Sequence, residues 1–333
     1  MNFTKFPRRK YLQGPTPIET LPALSKALDS KVNIYVKRDD LLPGAAGGNK
    51  TRKLEFCLAD ALEKGADAII TCGAVQSNHC RLTAAWSAKE GLDCHLVLEE
   101  RVKGSYKPEA GGNNFLFELL GVKSIEVVEG GSDMMAEMEK MAQKLKAAGK
   151  SPYIIPGGAS NAIGALGYAA CALETMAQLN DMHLDIDHII VPSGSAGTHA
   201  GMLVGMTGIN AGIPISGINV SRKKLIQEEI VFKLARETAE KLRIKGGVDR
   251  DDVVCFDGYV GPGYSLPSES MVEAVKLFSK HEAILLDPVY SGKAAAGLID
   301  LVRTGHFPDG ANVLFLHTGG SSALYVYMDA FRR

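Results

Sequence analysis

Residues 68–90 read AIITCGAVQSNHCRLTAAWSAKE. Ala68–Cys72 is a short apolar and β-branched run, Gly73–Arg81 is a turn rich in small and polar residues, and His79–Glu90 spaces its apolar residues at helical period. The same order, strand then glycine-rich turn then helix, returns at 188–207 as HIIVPSGSAGTHAGMLVGMT. Helices that follow strands in this way are crossovers between parallel strands, so the fold class is α/β with mostly parallel sheets.

Working outward, further strands are expected at Asn33–Lys37, Cys94–Leu98, Ser124–Val128, Tyr153–Ile155, His188–Val191, Ile215–Asn219, Ile284–Leu285 and Val313–Leu316. Helical periodicity covers Lys50–Lys64, Met134–Ala148, Ala162–Leu179, Thr198–Thr207, Lys223–Lys241, Ser268–His281 and Ala294–Thr304. A chain of 333 residues has the length of two domains. No Pro/Ser linker divides it, which suggests one domain inserted in the other with a ligand between them. Glu100–Asn114, rich in Gly, Lys and Asn, reads as a mobile loop.

With 37 Lys+Arg against 38 Asp+Glu, the chain offers no basic field for nucleic acid or an anionic membrane. No apolar run approaches the roughly 20 residues of a membrane span, and MNFTKFPRRKYLQG has no apolar stretch behind its basic residues, so a cytoplasmic protein is expected. The six cysteines form no CxxC pair, which indicates neither a disulfide framework nor a metal site.

Three turns carry chemistry. GAAGGNKTRKLEF, Gly44–Phe56, brings Lys50 to a helix start, where the positive end of the dipole favours a neutral, nucleophilic amine. It is not a Walker A loop, because Asn49 separates Gly48 from Lys50. GAVQSNHCR offers free backbone N–H groups with Ser77 and Asn78, suited to a carboxylate or phenolate, although Ser and Asn are also the usual helix caps. VPSGSAGTHAG, Val191–Gly201, lets backbone close on a phosphate, with Ser195 and Thr198 adding hydroxyls; its glycines at 194, 197 and 201 miss the dinucleotide fingerprint. Later come GYVGPGYSLP with Tyr264, LLDPVYSGKAAAG with Asp287 and Tyr290, and FLHTGG with His317 and Thr318.

In order, GGNK with RKLEF, QSN, SGSAGTHAG, GPGY, DPVYSGK and HTGG resemble the fold type II pyridoxal-phosphate enzymes, within them the D-cysteine desulfhydrase and aminocyclopropane-carboxylate deaminase family. The likeness runs from about Phe6 to Tyr327, and GGNKTRKLEF, PGGASNAIGALGY and EAILLDPVYSGKAAAGLIDLVRTGHF look most like its L-cysteate sulfo-lyase branch. The resemblance implies two open twisted parallel sheets flanked by helices, as in tryptophan synthase β. It implies a large cofactor-binding domain of residues 1–48 and 159–333 and a small one of 49–158.

The resemblance also assigns residues. Lys50 carries pyridoxal 5'-phosphate and moves the Cα proton; Gly194, Ser195, Ala196, Gly197 and Thr198 hold the phosphate; Asn78 contacts the ring hydroxyl and Thr318 the ring nitrogen. Ser77, Asn78, His79, Ser160, Tyr264 and Tyr290 face the substrate, with Ser77, Tyr264 and Tyr290 also catalytic. Ring-opening relatives carry an acidic residue after DPVY, whereas this chain has Ser291, which favours β-elimination. L-cysteate is the first expectation, D-cysteine the second and aminocyclopropane carboxylate the third, in a homodimer. A sulfonate would need donors, for which Lys53, His79, Arg81, Ser160, Asn161 and His199 lie nearest by motif. Retention of Lys50, Ser77, Asn78, Tyr264 and Tyr290 argues against a silent binding protein, and the missing fingerprint against a nicotinamide dehydrogenase.

Overall fold

A computed structural model describes residues 1–332. In chain order the elements are β1 (Ile18–Thr20), α1 (Pro22–Ala27), β2 (Asn33–Lys37), α2 (Lys50–Glu63), β3 (Ala68–Ala74), α3 (Asn78–Lys89), β4 (Asp93–Glu100), α4 (Asn113–Leu119), β5 (Ser124–Glu129), α5 (Met134–Ala147) and β6 (Pro152–Ile155). There follow α6 (Ala162–Asp181), β7 (His188–Ser193), α7 (Gly197–Gly208), β8 (Ile215–Asn219), α8 (Lys224–Leu242), β9 (Val254–Phe256), α9 (Glu269–Glu282), α10 (Ser291–Arg303), β10 (Asn312–Leu316) and α11 (Met328–Phe331).

The strands form two sheets, one in the order β1-β2-β10-β7-β8-β9 and one in the order β5-β4-β3-β6. Every pairing is parallel except β1 on β2. The four-strand sheet draws on residues 68–155 alone, while the other takes strands from both sides of that segment. Parallel strands buried on both faces read as continuous apolar runs, and Ala68–Cys72 is such a run, buried throughout. Helices cover both faces of the larger sheet: Leu166, Val204 and Val231 pack on one side of it, and Leu24, Phe278 and Leu298 on the other.

Ile284–Leu285 is not a strand. Ile284 and Leu286 are buried and Leu285 is exposed, an alternation that mimics one, but the Leu285 carbonyl meets the His317 ring at 3.2 Å instead of joining a ladder. The loop after β4 is anchored at its far end. Asn113 starts α4, accepts from Arg81 Nε at 2.8 Å, and donates to the Gln76 carbonyl and the Asn78 side chain, each at 2.9 Å.

The first turn of α2 is tied to the larger sheet by a buried ionic network. Arg52 donates to Asp39 at 2.8 and 2.9 Å and to Glu174 at 2.8 Å through each of two nitrogens. Lys37 on β2 reaches Glu174 at 2.6 Å, and Tyr168 donates to Asp39 at 2.6 Å. Removing one member of such a network would strand a buried charge, at a cost of about 3–5 kcal/mol. The network therefore fixes where Lys50, two residues before Arg52, enters the space between the sheets. All six cysteines are free and buried, and among the described residues no helix is long and apolar enough to cross a membrane.

Candidate active site

The turns after β3, β7 and β10 converge at the carboxyl ends of their strands, the usual ligand position in open α/β sheets. Lys50, Asn78, His79, Gly194, Ser195, Ala196, Thr198, Tyr290 and Thr318 line one cavity, together with Asn49 and Gly319. Two glycines let its walls meet: a side chain on Gly319, at φ +78°, would lie 2.7 Å from the Gly48 Cα, where Asn49 N–H donates to the Thr318 carbonyl at 3.0 Å.

Lys50 opens α2, and its Nζ lies 6.0 Å from the Tyr290 ring centroid. Burial lowers its pKa to about 8, against the opposing pull of Asp287. Across the cavity, Ala196 adopts a left-handed φ of +74° as the cap of α7, leaving first-turn N–H groups aimed outward. Ser160, expected on the substrate side, contacts this turn: its hydroxyl sits 2.8 Å from Ser195 Oγ and accepts from Gly197 N–H at 3.2 Å. Asn49 donates to Thr198 Oγ1 at 2.9 Å and is a site residue that the motif reading passed over, since only its lysine neighbour signals chemistry.

A neighbouring cavity of about 290 Å³ shares Asn78 and Tyr290 with the first and adds Gln76, Arg101, Tyr264 and Asp287. The Tyr264 and Tyr290 hydroxyls are 2.5 Å apart, and the Arg101 guanidinium stands 4.3 Å from the Tyr264 ring centroid. Burial pushes both phenols up, Tyr290 well above the usual range with the help of its neighbour, so both keep their protons near neutrality. Asp287 accepts from the N–H groups of Val289, Tyr290 and Ser291 at 3.0, 3.0 and 2.7 Å, and from the Ser291 hydroxyl at 2.7 Å. Ser77 is buried and caps α3, accepting from Cys80 N–H at 3.1 Å; its hydroxyl proton stays available.

The cations expected for a sulfonate are engaged elsewhere. Arg81 is fully buried, with Nη2 donating to the Gly47 carbonyl at 3.0 Å and Nη1 to that of Ala45, so it braces the glycine loop. Thr71 donates to the Ile155 carbonyl at 2.7 Å, so the 2.7 Å contact between its oxygen and His79 is donated by Nε2–H. Burial beside Lys50 and Lys53 holds His79 far below the usual histidine range, hence neutral. Lys53 donates to the Gly158 carbonyl at 3.1 Å, and burial lowers it well below a normal lysine. His199 is buried against Ser193, at 3.2 Å, with its pKa lowered to about 4 by burial, and Asn161 caps α6.

An amine partly neutral at physiological pH, facing a turn of free N–H and hydroxyl groups, suits a ligand that carries an aldehyde and a phosphate. Residues 10–319 match the family described as pyridoxal-phosphate dependent enzyme. A crystal structure of an ACC deaminase homologue superimposes with a TM-score of 0.89 and 38% identity, covering 99% of this chain and 97% of that one. O-ureido-L-serine synthase, at a TM-score of 0.68 and 18% identity over 96% of this chain and 93% of its own, shares the fold.

Proposed function

We propose, for a chain that belongs to the pyridoxal-phosphate dependent enzymes and takes pyridoxal 5'-phosphate as its cofactor, that it is a carbon–sulfur lyase converting L-cysteate and water to pyruvate, sulfite and ammonia. When bound, the cofactor supplies an electron sink for the substrate's Cα–H bond. The Gly194–Thr198 turn with Ser160 would hold its phosphate, Asn78 its ring hydroxyl and Thr318 its ring nitrogen. Lys50, partly neutral near neutrality, attaches it and then takes the Cα proton. Ser77 donates its free hydroxyl proton to the substrate carboxylate, beside Asn78. The Tyr264–Tyr290 pair faces the β-substituent. Sulfite departs with the carbon–sulfur electron pair and needs little proton assistance; the remaining enamine hydrolyses to pyruvate and ammonia.

The observation that carries this reading is the engagement of Ser291. Its hydroxyl donates to Asp287 and accepts from Asp287 N–H at 2.8 Å. The contact left for the ring nitrogen is then the neutral hydroxyl of Thr318, a weaker stabiliser of a protonated ring than a carboxylate. That suffices where a β-leaving group drains the carbanion. A second reading rests on the likeness to the ACC deaminase homologue, which favours ring opening to 2-oxobutanoate and ammonia. We further propose that residues 1–48 with 159–333 and residues 49–158 act as two units closing on the substrate, and that the enzyme is a homodimer. Incubation with L-cysteate, D-cysteine, L-cysteine and aminocyclopropane carboxylate decides between the reactions. Pyruvate with sulfite supports the proposal; 2-oxobutanoate, or hydrogen sulfide as the main sulfur product, overturns it.

A further inference from the structure

The cationic candidates picked out by motif do not serve the cavity that holds Tyr264, yet that cavity has a cation of its own. Arg101, at the end of β4, makes one side-chain hydrogen bond, Nε to Glu99 at 2.5 Å, which leaves Nη1 and Nη2 without a protein partner among the described residues. Its guanidinium lies 4.3 Å from the Tyr264 ring centroid, and Tyr264 meets the Tyr290 hydroxyl. Arg222 does not line this cavity, its Nη1 donating to the Gly194 carbonyl at 2.8 Å and to Gln227 Oε1 at 3.3 Å. The two carboxylates that line the cavity are both bonded, Glu99 to Arg101 and to Gly131 N–H at 3.0 Å and Asp287 to the Val289, Tyr290 and Ser291 N–H groups, which leaves the two Arg101 nitrogens as its free cationic donors.

We propose that Arg101 and the Tyr264–Tyr290 hydroxyls form a subsite for an anionic β-substituent, a sulfonate in the reaction inferred above, and that Arg101 determines preference for charged over neutral side groups. The subsite rests on that reading only for the identity of the anion. The two free guanidinium nitrogens and the one phenolic proton not used between Tyr264 and Tyr290 match the three acceptor oxygens of a sulfonate. A thiol or a cyclopropane ring would leave these donors poorly paired. Asn78 and Tyr290 line both cavities, so the subsite adjoins the position where Lys50 acts.

The test is calorimetric binding to the holoenzyme of two compounds that lack an amine and cannot react. One is 3-sulfopropanoate, which keeps the carboxylate and sulfonate of cysteate; the other is butanoate, which replaces the sulfonate by a methyl group. The wild type is expected to prefer 3-sulfopropanoate by about tenfold or more, as charge-assisted hydrogen bonds imply. Arg101→Gln should abolish the preference and change butanoate affinity less than about twofold. The Arg101 side chain is partly exposed, and cofactor absorbance verifies that the variant remains loaded. Equal affinity of the wild type for both compounds, or a preference retained by Arg101→Gln, overturns the subsite. If the preference depends on Arg101 but cysteate releases no sulfite, the subsite stands and the cysteate reading falls.

Discussion

With Lys50 as the proposed point of attachment, its lowered pKa makes cofactor binding a pH-dependent event of calculable size. An ordinary lysine at 10.5 is about 0.03% neutral at pH 7, whereas one at about 8 is about 9% neutral, a gain of roughly 300-fold in reactive amine. The sign follows from burial: the charged form is disfavoured, so the neutral fraction, and with it the rate of attachment, rises with pH and levels off above about 8. Cofactor-free protein mixed with pyridoxal 5'-phosphate at a series of pH values, trapped with borohydride and mapped by mass spectrometry, measures both the rate and the lysine. Asp287→Asn removes the charge that raises the Lys50 pKa, so the midpoint should move to lower pH. Lys53 is an internal control, because it too is buried with its pKa lowered by burial but is bonded to the Gly158 carbonyl. A midpoint near 10, or an adduct on Lys53, would refute the reasoning.

Lys293 is fully buried and donates to the Val260 and Gly263 carbonyls, each at 2.7 Å, so it anchors the loop that presents Tyr264. Lys293→Met should cost about 1–3 kcal/mol, two partly buried carbonyls losing a charged donor, and denaturant unfolding should show it. Gly158 has φ +70°, and a side chain there would lie 2.1 Å from Ser195 Oγ. Overpacking of about 1–3 kcal/mol at the phosphate turn should make Gly158→Ala retain cofactor at least about fivefold less tightly, read from absorbance after dialysis. Arg81→Gln should destabilise the fold while leaving the ratio of activities on charged and neutral substrates within about twofold, since its donors brace Gly47, Ala45 and Asn113.

Long elements were legible because apolar runs and helical periods coincide with turns: His188–Val191 lies within β7, and Met134–Ala148 overruns α5 by one residue. The three-residue edge strands β1 and β9 and the short helices α1 and α4 left too little pattern to read. At the site, glycine turns announced themselves, since backbone approach restricts residue type. Cations did not. Arg81 and Arg101 are alike as sequence, and only the fold spends one on backbone carbonyls while leaving two nitrogens of the other free. The contact of Ser160 with Ser195, 35 positions away, was likewise not legible by motif, because it is made by the tertiary fold.

In the proposed reaction, with Ser291 turned to Asp287 and Arg101 facing the tyrosine pair, the enzyme eliminates a sulfur group from an anionic amino acid. The most direct measurement is kcat/KM for L-cysteate, D-cysteine and aminocyclopropane carboxylate on one preparation, with sulfite and keto acid both quantified. The account predicts the highest value for L-cysteate, with sulfite and pyruvate formed in equal amounts. A higher value for aminocyclopropane carboxylate, with 2-oxobutanoate as product, would contradict it.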